Sequence, residues 1–186
     1  MFLHHLRIGI ACVFVAATFS CAAAADDCKL VRIASMDFTE NGSIIVPVSI
    51  EGTSVRMALD TGAPVSAVDP NVAHNLHLVQ HRIMQGLFTN IAGATVTYVA
   101  VLHDLGLGDM HTSGVYLLVW HSPMTNNGRI GGTLAADLLR HYDVDLDFGT
   151  HKLGLFSQDH CPGKVVYWAS GGVAVVPMHV VNSGHI

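Results

Sequence analysis

Apolar and polar positions along this chain alternate in short bursts, the two-residue period of half-buried strands, rather than at the wider spacing of amphipathic helices. Ile44-Ile45-Val46-Pro47-Val48-Ser49-Ile50 and Val55-Arg56-Met57-Ala58-Leu59 are separated by Glu51-Gly52, which predicts a hairpin whose second strand delivers Asp60 at its end. A strand is expected over 65–68. Two more meet near Ile91-Ala92-Gly93 within 86–101, and others run over 102–107 and 115–120, set apart by Gly108 and Gly114. Pro70, suited to a first helical turn, opens a short helix over 71–78. Residues 122–128, with Pro123 and Asn126-Asn127, read as loop. Mostly short strands with one or two short helices argue for an all-β fold, a small closed β-barrel.

Composition narrows the class. With 186 residues, 51% hydrophobic and 12% charged, the chain can bury one sizeable core and hardly two. His4, His5 and Arg7 precede an apolar run over 8–19, and Ala22-Ala23-Ala24-Ala25 then offers small residues for cleavage before Asp26-Asp27. This is the pattern of a secretory signal peptide, residues 1–25, with an apolar core too short to anchor in a bilayer. Lipidation at Cys21 is the alternative, poorly served by Thr18-Phe19-Ser20. The expected location is secreted or periplasmic, with no membrane association once the leader is gone. Removing it takes one of nine basic residues and leaves eight against fourteen acidic, a net charge of −6 with His neutral. No basic patch is present, which argues against nucleic acid as a partner. Cys28 and Cys161 remain, one at each end of the domain, and in an exported protein they suggest a disulfide; two buried free thiols are the alternative. The chain-entropy model gives such a long closed loop roughly 4–5 kcal/mol.

The candidate chemistry is carried by Asp60-Thr61-Gly62-Ala63, a carboxylate on a tight turn after an apolar strand. About seventy residues on, Gly132-Thr133-Leu134-Ala135-Ala136-Asp137-Leu138-Leu139 leads into Tyr142-Asp143-Val144-Asp145-Leu146-Asp147-Phe148 and then Lys152-Leu153-Gly154-Leu155-Phe156. This order of elements, from about Cys28 to Cys161, resembles the bacterial retropepsin-like aspartic proteases: an Asp-Thr-Gly-Ala turn, then a second apolar turn, a short helix and two closing strands. The resemblance implies a retropepsin-like barrel over 26–163 and an endopeptidase acting on peptide or protein substrates. It makes Asp60 the catalytic carboxylate, has Thr61 lock paired turns across a two-fold axis, and has the Gly62 N–H face the carboxylates. Ala63 brings no hydroxyl to an ionised Asp60. Thr133, Leu134 and Ala135 form the second apolar turn, Ala135 standing where the family has glycine. Residues 86–101 match the flap that folds over substrate, with Ile91, Ala92 and Gly93 at its tip; an edge hairpin without gating is the alternative.

Such chemistry needs two carboxylates sharing a proton around one water. One chain offers one, so the site requires a homodimer or a second repeat. The tail 164–186 bears on this: Val173, Met178, Gly184 and Ile186 repeat Val31, Met36, Gly42 and Ile44 at a constant offset, and Val175 replaces Ile33 conservatively. The tail reads as the first strand of a second, truncated repeat, with a plain C-terminal tail as the alternative. Asp143, Asp145 and Asp147 alternate along one strand and read as its polar face. His74, His77 and His81, and His103, Asp104, Asp109 and His111, lack the spacing of a zinc motif, so neither metal nor other cofactor is expected. The second functional reading is an inactive half-domain that binds without cleaving.

Overall fold

The computed structural model describes residues 31–40, 42–84, 88–89, 95–121 and 129–159. The expected signal peptide, Cys28, Cys161, the tip Ile91-Ala92-Gly93 and the tail lie outside the described residues.

Strands dominate, as the two-residue period predicts. After β1 (Arg32–Asp37) and the short β2 (Thr39–Glu40), β3 (Ile44–Ile50) and β4 (Thr53–Asp60) form the expected hairpin, paired from Ile45 opposite Ala58 to Ile50 opposite Thr53. Glu51 and Gly52 both take positive φ, 49° and 77°, the geometry of a two-residue turn matched to strand twist. Glu51 is not the residue such a turn favours. Its carboxylate compensates by accepting from the backbone N–H groups of His103 at 2.6 Å and Asp104 at 3.3 Å. Pro47 sits inside β3 at no cost to the ladder. On that edge β2 pairs only with Ile44 and Ile45 and β10 (Leu105–Leu107) only with Ser49 and Ile50, so no neighbouring strand needs the missing N–H.

β5 (Ala67–Val68) is followed by α1 (Pro70–Asn75), capped by Asp69, whose carboxylate accepts from the Asn71 N–H at 2.9 Å. The helix stops three residues before the expected Leu78. Leu78 N–H bonds the Ala73 carbonyl and His77 N–H bonds that of His74, with His77 at φ 52°: a Schellman ending with histidine where glycine is usual. Next come β6 (Val79–Arg82), the paired β7 (Phe88–Thr89) and β8 (Thr95–Val96), then β9 (Tyr98–Leu102). The single strand expected over 102–107 is divided. β9 ends at Leu102 and β10 begins at Leu105, because the His103 and Asp104 N–H groups turn to Glu51. β11 (Met110–Thr112), β12 (Val115–Val119), β13 (Gly132–Ala135), α2 (Ala136–Leu139), β14 (Asp143–Asp147) and β15 (Lys152–Phe156) complete the order.

The main sheet runs β11-β10-β3-β4-β13-β5-β12-β9-β6, and its two end strands do not pair among the described residues. A second sheet, β1-β15-β14, lies beside it. Leu153 and Leu155 of β15 share one core with Val46, Val48 and Ile50 of β3, Met57 of β4 and Leu134 of β13. On β14, Leu146 packs against that core, while Asp145 and Asp147 line a small outer recess with Arg32 and Lys152. Among the described residues the fold is thus all-β with two short helices, and its central strands β4, β13 and β5 are the ones that carry the expected turns.

Candidate active site

β4 ends at Asp60, and β13 runs parallel to it, placing Thr133 opposite Ala58, Leu134 opposite Leu59 and Ala135 opposite Asp60. The two turns, seventy-odd residues apart in sequence, are brought side by side. On its other edge β13 pairs antiparallel with β5 through Gly132–Val68 and Thr133–Ala67, so it is held between the strands entering and leaving the Asp60 turn. Gly132 is required by this packing: a Cβ there would overlap the Ala67 carbonyl oxygen.

Asp60 is half-exposed. Its Oδ1 accepts from the N–H groups of Gly62 at 3.0 Å and Ala63 at 3.2 Å, while Oδ2 has no hydrogen-bond partner among the described residues. The carboxylate is therefore fixed by one oxygen and open at the other. Thr61 is exposed in the turn. Ala135 is fully buried with φ −117° and ψ −178°, extended backbone that any residue adopts, so this position does not depend on glycine for its conformation. Ala136 N–H reaches the Ala63 carbonyl at 3.3 Å and ties the second turn directly to the first.

Two residues to which sequence reasoning assigned no role complete the tie. Ser66 is fully buried between Val65 and Ala67; its Oγ donates to Asp137 Oδ1 at 2.6 Å and accepts from the Ala135 N–H at 2.9 Å. The Ser66 N–H also donates to Asp137 Oδ1, at 3.0 Å. The strand leaving the Asp60 turn is thus bound both to Ala135 and to α2. A polar residue inside an apolar strand was the available signal, and its partner lies 71 positions away.

β7 and β8 pair through Phe88–Val96 and Thr89–Thr95, the base of the hairpin expected over substrate. Phe88 and Val96 join Ala67, Leu118, Val65 and Trp120 in a second apolar cluster, so this base rests on the segment that follows Asp60. The histidines adopt another pattern. His111 Nδ1 lies 2.8 Å from Asp104, His121 Nδ1 2.8 Å from the buried Asp69, and His151 Nε2 3.4 Å from Glu40, each beside a carboxylate. Among the described residues no three His, Cys, Asp or Glu side chains converge to hold a metal ion.

Residues 46–137 match the aspartyl protease family model, a stretch that holds Asp60, Ser66, Ala135 and Asp137 together. Over that stretch, 92 of the 186 residues, the chain is similar to the aspartyl proteases. Among solved structures it is similar to a retropepsin-like aspartic protease from Rickettsia conorii, at 15% identity and a TM-score of 0.48 over 69% of this chain and 92% of that one. It is also similar to the retroviral protease-like domain of Ddi1 from Leishmania major, at 15% identity and a TM-score of 0.44 over 63% of this chain and 95% of the other. No curated protein matches the sequence significantly.

Proposed function

We propose that the chain is an exported aspartic endopeptidase in which a water held between Asp60 and a second carboxylate attacks the peptide carbonyl. The observation that carries this reading is the state of Asp60: Oδ1 anchored by two backbone N–H groups, Oδ2 open, on a turn braced from both sides. Asp137, another carboxylate beside these turns, takes both the Ser66 hydroxyl and N–H on Oδ1 and so ties that strand to α2. The second catalytic carboxylate must then come from another copy of the chain or from a second repeat. Two facing carboxylates share one proton and titrate as a pair. The ionised member takes a proton from the water as its oxygen adds to the carbonyl carbon, and the protonated member donates to the carbonyl oxygen. In this reading Thr61 joins the two turns, Gly62 and Ala63 hold the carboxylate, and the hairpin carrying Ile91, Ala92 and Gly93 covers the peptide.

The test is cleavage of an unfolded protein substrate by the processed protein and by Asp60→Asn, across a range of enzyme concentrations. The variant is expected to lose cleavage, and the wild-type rate to rise faster than linearly with concentration while copies assemble. Undiminished cleavage by the variant ends the proposal. Substrate binding by the wild type without cleavage at any concentration establishes the alternative, a half-domain that only binds.

A further inference from the structure

Away from Asp60, a cleft of about 310 Å³ opens between the first half of β4, α1 and the segment leading into β13. Two of the chain's nine basic residues, Arg56 and Arg129, line it, and among the described residues no Asp or Glu does. Neither arginine has an acidic partner among the described residues, although acidic residues outnumber basic ones fourteen to nine. Two guanidinium groups turned into one cavity would repel each other, and an oxyanion between them would relieve this and accept bidentate hydrogen bonds.

The rest of the lining adds two requirements. Thr53, Ser54 and Asn75 bring hydroxyl and amide groups to the cleft, while Val55, Val72 and Leu76 give it an apolar wall. The volume lies at the lower end of organic-ligand pockets and leaves room for an apolar group beside the anion. The floor is fixed: Gly131 donates to the Arg56 carbonyl at 2.7 Å and accepts from Asp69 N–H at 2.8 Å. Glycine also keeps the floor low, since a Cβ there would overlap the Val55 side chain and crowd that of Val72.

We propose that this cleft binds a carboxylate attached to an apolar group, as presented by a peptide's C-terminal residue or by a small carboxylic acid. Arg56 and Arg129 grip the carboxylate, and Val55, Val72 and Leu76 take the apolar part. Arg56 stands four residues before Asp60 on the same strand, roughly 13 Å along it, so a ligand here leaves Asp60 free. The site is independent of whether the chain cleaves peptides.

The experiment is a titration of the processed protein, followed by NMR shifts of backbone amides, with N-acetyl-leucine, N-acetyl-leucinamide, inorganic phosphate and an apolar peptide with a free C-terminus. Arg56→Gln, Arg129→Gln and Asp60→Asn are titrated alongside. N-acetyl-leucine is expected to saturate with shifts at residues 53–56 and 72–76, its amide to bind at least tenfold more weakly, and each arginine variant to weaken it about tenfold. Asp60→Asn is expected to bind as the wild type does. A peptide that binds more tightly than N-acetyl-leucine identifies a chain terminus as the ligand, and equal affinities identify the small acid; either supports the site. Equal binding of acid and amide, phosphate binding as tightly as N-acetyl-leucine, indifference to both arginine variants, or no saturable shift in this region each overturns it.

Discussion

Replacing Ser66 with alanine should be among the most costly single-atom deletions in this protein. Ser66 Oγ is fully buried and makes two bonds at once, donating to a carboxylate at 2.6 Å and accepting from a backbone N–H at 2.9 Å. The donation is charge-assisted, worth about 1.5–3 kcal/mol, and the Ala135 N–H left without a partner adds about 1–3 kcal/mol of desolvation. Asp137 keeps the bond from the Ser66 N–H, which offsets part of this loss, so the net cost should be about 3 kcal/mol. In a domain of this size that corresponds to a fall in Tm of roughly 10 °C. Urea unfolding followed by circular dichroism, with the m-value checked for constancy, measures it directly. Asp137→Asn retains an acceptor oxygen and loses only the charge, so it should cost less, about 1 kcal/mol. A Ser66→Ala loss below about 0.5 kcal/mol would refute the reasoning, because a truly bridging hydroxyl cannot be removed so cheaply.

Other consequences follow from single positions. Gly132→Ala forces a methyl onto the Ala67 carbonyl between β13 and β5 and should destabilise by roughly 3 kcal/mol or more, read as a shifted urea midpoint. His77→Gly relieves a left-handed residue at the end of α1 and should stabilise by about 1 kcal/mol in the same assay. Asp147, whose carboxyl is held below the usual 3.8 chiefly by the Thr150 hydroxyl and then by the Thr150 and Gly149 N–H groups, bears on pH. A lowered folded value means this contribution is complete above the unfolded value and fades as pH falls below 3.8 through the folded one. Urea midpoints of wild type and Thr150→Ala should therefore differ at neutral pH and converge in strong acid. A gap that widened in acid would reverse the sign.

What the sequence disclosed and what it withheld divide along the range of the interactions. The β3–β4 hairpin was legible because two alternating strands and a Gly-containing turn are contiguous, and α1 because Asp69-Pro70 marks its start. β6 was not, since all four of its residues are exposed and only its distant pairing with β9 makes it a strand. The end of α1 was misplaced because histidine stands at the left-handed position where glycine would have announced the stop. The break at His103-Asp104 carries no glycine or proline either; it is made by a carboxylate 52 positions away.

The same division explains the site. Asp-Thr-Gly-Ala is ordinary turn chemistry by itself, and a carboxylate accepting from the next N–H groups occurs in many loops. What sets Asp60 apart is its bracing: β13 lies between β4 and β5, Ser66 bonds Ala135 and Asp137, and Ala136 bonds Ala63. None of those contacts is local, so none could be inferred from spacing; only the order of the two turns, seen through a family resemblance, hinted at them. The structure also changes the meaning of the one departure from the family pattern. Ala135 was conspicuous in sequence as a lost glycine, yet its extended backbone needs none, and the glycine this packing does require is Gly132, three residues earlier. Ala135→Gly should accordingly weaken the fold by about 1–2 kcal/mol, from a lost buried methyl and added backbone entropy, without improving whatever cleavage the wild type shows. Urea unfolding and the cleavage assay measure the two effects separately. A gain in both stability and rate would mean that the methyl does crowd the Asp60 turn, and that the departure from glycine is a defect rather than a tolerated change.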